Sequence, residues 1–169
     1  MKIRIRRVNI SKRRGQLLNW FVGWFVDSIE GVGFSHAYVE ITDEFGVPFI
    51  VDNLASSRIR VVSEDETRFH YNHKAIWERD LTHNEYESVR RILDDLVGAY
   101  YSPWKVITLK PRQWFGVPGN LPGTISPEII AKILNVFYDT HVVPELVGMS
   151  ELVSLIGSEW RDISENSNT

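Results

Sequence analysis

With 169 residues, 43% of them hydrophobic and 24% charged, the chain is long enough to bury the core of one domain and is composed as folded domains are. A net charge of −3 gives no global drive toward nucleic acid, and the lack of cysteine excludes disulfides, thiolate metal sites and a cysteine nucleophile. Six tryptophans predict a core or groove rich in rings, and Lys2, Arg4, Arg6, Arg7, Lys12, Arg13 and Arg14 crowd the start of a chain whose middle and tail are acidic.

Residues 2–8 alternate basic and apolar side chains, with Ile3 and Ile5 on one face and Lys2, Arg4 and Arg6 on the other, the period of a half-buried strand. The outward charge predicts an edge strand, because charge discourages pairing with a second sheet. Residues 17–26 are nearly all apolar, and Leu17, Phe21, Phe25 and Ile29 recur at helical spacing. The run is about half of the roughly 20 residues a spanning helix needs. No small-residue cleavage site follows it, so no signal peptide is expected. It reads as a packed helix, whose second stripe, Trp20 and Trp24, is the part that could touch a membrane or a partner.

After a Gly31-Val32-Gly33 turn, residues 34–41 alternate as a strand, with His36, Tyr38 and Glu40 on one face and Ala37, Val39 and Ile41 on the other. Residues 43–46 turn a hairpin, and 47–53 return, with Pro48 near the start where a missing N–H is tolerated. Residues 58–62 and 75–81 read as strands, and the polar, acidic stretch 63–73 as a loop. Thr82 and Glu85 make a T-x-x-E capping box; Tyr86, Val89, Leu93, Leu96 and Val97 give that helix its core face, and Gly98 ends it. Pro103, Pro111, Pro118 and Pro122, with Gly116, Gly119 and Gly123, predict a long irregular connection interrupted by an apolar patch at 106–109. Ser126-Pro127-Glu128 opens a helix to about Tyr138, with a cap serine, an early proline and an acid in the first turn. Beyond a break at 141–144, residues 148–157 read as a short buried helix with Met149, Ser150 and Glu151 in its first turn. The polar residues 158–169 predict a flexible tail, leaving a single domain over 1–157.

The main chemical candidate is His36 facing a helix N-terminus. Such an end carries partial positive charge and free N–H groups, which lower a thiol pKa and stabilise an oxyanion. A histidine on a neighbouring strand is the natural base, and Asp52 on the paired strand can orient its ring. The plain alternative is a structural histidine. A second candidate is H-x-x-H at His70 and His73, beside Glu64, Asp65 and Glu66. On a helix that spacing could share a metal, but in a loop it is a solvated polar segment, and no metal or cofactor is expected. The basic start with Trp20 and Trp24 could hold nucleic acid, yet reads more simply as an exposed strand or a docking face for an acidic partner. No Gly-rich phosphate loop is present. Tyr38 and Tyr101 read as packed rings, with a groove lining as the alternative.

The stretches F-S-H-A-Y-V-E-I, V-D-N-L-A-S-S-R-I-R-V, W-E-R-D-L-T, G-A-Y-Y-S-P-W and M-S-E-L-V follow one another over nearly the whole chain. In type, order and spacing they resemble the circularly permuted branch of the NlpC/P60 papain-like superfamily, in particular its small single-domain members encoded by bacteriophages and prophages. The resemblance implies an α+β papain-like fold, an antiparallel sheet packed against helices, with the Met149 helix buried against the His36 strand. It gives His36 the role of base, makes Asp52 the ring-orienting residue, and puts Met149 where the family's nucleophilic cysteine stands. A thioether has no proton to lose and cannot attack as a thiolate does. Ser150 is the alternative nucleophile, although one step along a helix turns a side chain by about 100°.

Two functions follow. In the first, a catalytically degenerate papain-like protein is kept as a structural or binding component, phage-encoded and associated with a virion or its tail. Its partners are then other phage structural proteins, and its place is the virion or the bacterial host cytoplasm. In the second, the chain is an active amide or ester hydrolase, acting on peptidoglycan or lipid through Ser150 or another nucleophile with His36 as base. The methionine favours the first.

Overall fold

The computed structural model describes residues 1–10, 20–21, 24–25, 28, 31–53, 58–115, 123–138 and 142–163. Its centre is strand β1 (Lys2–Ile10), flanked by antiparallel β2 (His36–Thr42) on one side and antiparallel β5 (Tyr71–Asp80) on the other. The edge position expected for β1 is therefore wrong, and the register shows why. Arg4 lies opposite both Glu40 and Glu78. It donates to Glu40 Oε1 at 2.9 Å and to Glu78 Oε2 at 2.7 Å, while Arg6 donates to Glu40 Oε2 at 2.7 Å and Lys2 to Glu78 Oε1 at 3.1 Å. Charges that would protect an edge instead compensate two buried carboxylates on the neighbouring strands.

The β2 strand turns into β3 (Pro48–Asp52) through Asp43, whose Oδ1 accepts the amides of Phe45 at 2.9 Å and Val47 at 2.8 Å, with Gly46 at φ +81°. Short β4 (Arg60–Val62) and β6 (Arg161–Ile163) complete a six-stranded antiparallel sheet of order β4-β3-β2-β1-β5-β6. The free tail expected from residue 158 onward does not begin there. Trp160 is buried in the core and donates its indole N–H to Tyr138 at 3.1 Å, and β6 then pairs with β5. Residues 164–169 lie outside the described part.

Two segments read as irregular are helical. The acidic stretch contains α1 (Glu64–His70), capped by Ser63 and burying only Thr67, so its composition is that of a surface helix. The proline-rich connection contains α3 (Pro103–Phe115), with one proline in its first turn, where no N–H is needed, and Pro111 further in. The capping box opens α2 (His83–Leu96) as its sequence predicts: Glu85 donates its amide to Thr82 Oγ1 at 3.3 Å, and Thr82 donates its amide to Glu85 Oε2 at 2.8 Å. Gly98, at φ +92°, follows its end. Helix α4 (Ser126–Phe137), a 3₁₀ turn (Pro144–Leu146) and α5 (Met149–Leu155) follow.

The inner face of the sheet (Ile3, Ile5, Val39, Ile41) packs against Leu93 of α2, Ile130 and Leu134 of α4 and Leu152 of α5, forming the main core of an α+β fold. A smaller core of Val8, Ile10, Tyr38, Ile50, Val62 and Tyr71 sits on the other face. In the apolar segment expected as a packed helix, Trp20, Phe21, Trp24, Phe25 and Ser28 are helical, and the rest lies outside the described residues. Phe21 and Trp24 are about half exposed with rings 5.9 Å apart, so Phe21 does not share a buried stripe. No described helix is long and apolar enough to cross a membrane.

The closing role of Trp160 has a measurable consequence. Trp160→Ala should lower the unfolding free energy by about 3–5 kcal/mol, read as a reduced urea midpoint, because it empties a core position. A residue in a free tail would leave the midpoint unchanged.

Candidate active site

Period two decides which side chains meet on the outer face. The β2–β3 register pairs Val39 with Val51, so Asp52 comes beside Tyr38, and His36 is the next residue of β2 on that face. His36 Nε2 and Asp52 Oδ1 are 2.8 Å apart. The second carboxylate oxygen accepts the Tyr71 hydroxyl at 2.6 Å, and the Tyr71 ring stacks on His36 with centroids 5.2 Å apart. His36, Asp52 and Tyr71 are each 5% exposed or less.

Burial alone would raise the Asp52 carboxyl, but the hydrogen bond and charge of His36, with the Tyr71 hydroxyl and the Asn53 amide, outweigh it and hold Asp52 below the usual carboxylate range. Burial, followed by the negative charge of Asp52, pushes the Tyr71 hydroxyl well above its ordinary value, so it stays a proton donor. With the ring neutral, as a base must be, an ionised carboxylate can only accept, so the ring proton sits on Nε2 and Nδ1 presents a lone pair.

That lone pair meets Ser126. Its Oγ lies 2.9 Å from His36 Nδ1 and the residue is 4% exposed. The serine read as a helix cap is not one: Ile125 holds the cap position without a side-chain bond, and Ser126 is the first helical residue, its hydroxyl directed to the histidine. The ring is used the opposite way round from the Ser-His-Asp protease template, in which Nε2 faces the serine and Nδ1 the aspartate.

Backbone bonds place the start of α4. Thr124 donates its amide to Tyr100 O at 2.8 Å and accepts that of Ser102 at 3.0 Å. Gly123, at φ +82°, runs so close to this segment that a Cβ there would stand 2.5 Å from Tyr100 O. Two residues past Ser126, buried Glu128 accepts from buried Lys105 of α3 at 2.9 Å, tying the first turn of α4 to its neighbour.

The other expected site residues lie elsewhere. Met149 is 4% exposed and belongs to the main apolar core, on a helix that packs against α4. Ser150 is half-buried; its Oγ donates to Glu151 Oε2 at 3.1 Å and accepts from Lys110 at 3.3 Å. Both His36 nitrogens are engaged by Asp52 and Ser126, so the ring offers none to Met149 or Ser150. Tyr38 is buried in the smaller core, and burial pushes the Tyr101 hydroxyl up. His70 Nε2 is 3.8 Å from Glu66 Oε1, and the His73 side chain lies outside the described part.

The residue that sequence reasoning missed had a signal. Ser126-Pro127-Glu128-Ile129-Ile130 carries the same pattern as Met149-Ser150-Glu151-Leu152-Val153: a leading residue, a spacer, an acid and two aliphatics at a helix start. No family model, curated protein or solved structure matches the chain.

Because its folded-state pKa is depressed, Asp52 stabilises the fold above the usual carboxylate range, and that contribution is lost as pH falls through the lowered value. Wild-type stability should therefore drop below about pH 4. Asp52→Asn should be less stable at pH 7 by about 2 kcal/mol, and its deficit should shrink on acidification. Urea midpoints measured from pH 7 to 2 check this; a constant gap would contradict it.

Proposed function

We propose that the chain is a serine acyl hydrolase on a permuted papain-like scaffold, with Ser126 as nucleophile, His36 as base and Asp52 orienting the ring. The observation that carries this is the 2.9 Å contact between Ser126 Oγ and His36 Nδ1, the ring nitrogen not taken by Asp52. The substrate class is an amide or ester. Ser126 Oγ bonds to the acyl carbon while its proton passes to Nδ1, and the carbonyl π pair moves onto oxygen. Asp52 stabilises the resulting imidazolium. Collapse expels the amine or alcohol, which takes the proton from Nδ1, and water, deprotonated by the same nitrogen, releases the acid and restores Ser126.

The resemblance to the NlpC/P60 branch supports this reading, with one change of alignment: S-P-E-I-I, rather than M-S-E-L-V, holds the nucleophile position. Peptidoglycan or lipid as substrate, a phage origin and a virion tail location rest on that resemblance and on no side chain of the site. A second reading, an inert scaffold, is favoured by the burial of Ser126, His36 and Asp52.

A fluorophosphonate probe separates the two. A hydrolase should be labelled at Ser126, with labelling abolished by Ser126→Ala and slowed at least about 100-fold by His36→Ala. No labelling would favour the scaffold, and labelling at Ser150 instead would move the nucleophile from α4 to α5 and overturn the role given to Ser126. Ser126→Cys gives a further test, since it would be the only thiol in the chain. Alkylation by iodoacetamide should titrate at about pH 4–7.5 instead of near 8.5, because the helix start and His36 stabilise a thiolate. Titration at the ordinary value would count against His36 as its base.

A further inference from the structure

We infer that the side-chain amide of Asn53 is the oxyanion donor of the Ser126 site, an assignment that rests on the hydrolase reading above. Asn53 follows Asp52 at the end of β3. Alternation turns it to the other face, in line with Val51 and toward α4. It is 2% exposed, and neither its Nδ2 nor its Oδ1 has a hydrogen-bond partner among the described residues. An unpaired buried amide costs stability and gives the fold nothing in return, which marks such a group for a role outside packing.

What lies in front of it fits that role. Asn53 and Ser126 line the same small cavity, together with Ala37, Tyr38, Val39, Val51, Ile129 and Ile130. Its volume is about 10 Å³, room for a single water or one substrate oxygen. The start of α4 has few backbone donors of its own to add to the Asn53 amide. Ile129 already donates its amide to Ile125 O, and Pro127 has no N–H, so only Ser126 and Glu128 can offer backbone donors there. When Ser126 Oγ bonds to the acyl carbon and its proton moves to His36 Nδ1, the displaced carbonyl pair makes an oxyanion. That oxygen enters the cavity and is met by the Asn53 N–H, a bond made in the transition state only.

The test uses hydrolysis of a p-nitrophenyl ester by the full chain, with Asn53→Leu as the main variant and Asn53→Ala beside it. Leucine keeps the branched shape and removes only the polar atoms. The inference expects kcat to fall about 10²–10³-fold with KM within about twofold, while the melting temperature of Asn53→Leu equals or exceeds the wild type. A boronic acid inhibitor should lose affinity in the same variant. Unchanged kcat, or a loss of kcat that comes with a lower melting temperature in Asn53→Leu, overturns the assignment while leaving Ser126 as nucleophile. Absence of Ser126-dependent turnover in the wild type removes the hydrolase reading and this inference with it.

Discussion

A buried carboxylate has to be met by donors, and much of this site follows from how Asp52 is met. His36 approaches from β2, the Tyr71 hydroxyl from β5, and the main-chain N–H of Asn53 from the next residue along the chain. Each bond removes a degree of freedom from something else. The histidine proton is held on Nε2, the ring plane is held by the stacked Tyr71, and the remaining lone pair points at the first residue of α4. A neutral residue in place of Asp52 would leave the tautomer open. The position of a charge beside the smaller core thus decides which atom of the ring faces Ser126.

The sheet is divided between two kinds of compensation. At one end of its outer face, Lys2, Arg4, Arg6 and Arg161 surround Glu40 and Glu78. At the other end, the aromatic and aliphatic side chains of the smaller core enclose Asp52 and His36. The inner face is mostly apolar, but it also carries Arg7 over the Trp77 ring and Arg79 over the Phe137 ring, and the Lys105–Glu128 pair joins α3 to α4 beside it. Buried ion pairs seldom add stability over well-packed apolar residues. Their effect here is positional, since Glu128 is only two residues beyond Ser126 and can satisfy Lys105 in one arrangement of the two helices.

Much of the fold was legible where a signal was local. The alternation of F-S-H-A-Y-V-E-I and V-D-N put His36 and Asp52 on one face of a hairpin, and the Thr82–Glu85 pair marked α2. Errors arose where a local signal has two global solutions. A basic strand suits an edge, but also a centre with acids on both sides, and the sequence does not say where Glu40 and Glu78 will fall. Two helix starts carried the same pattern of an acid and two aliphatics. Only the packing of α4 on β2 decides that Ser126, not Met149, reaches the histidine. Asn53 was invisible for a related reason: its lack of a partner is a property of the assembled interior. The α1 and β6 segments are too short and polar for periodicity to register.

The clasp at Gly123 and Thr124 separates the location of Ser126 from its identity. Ser126 is positioned by main-chain bonds to Tyr100 and Ser102 and by the absence of a Cβ at Gly123, not by its own side chain. On the hydrolase reading the hydroxyl contributes reactivity, while the main chain sets its location. Exchange between oxygen and sulfur at this position would change one atom and leave the clasp's main-chain bonds as they are. Loss of the glycine, which touches no reacting atom, would be the more disruptive event.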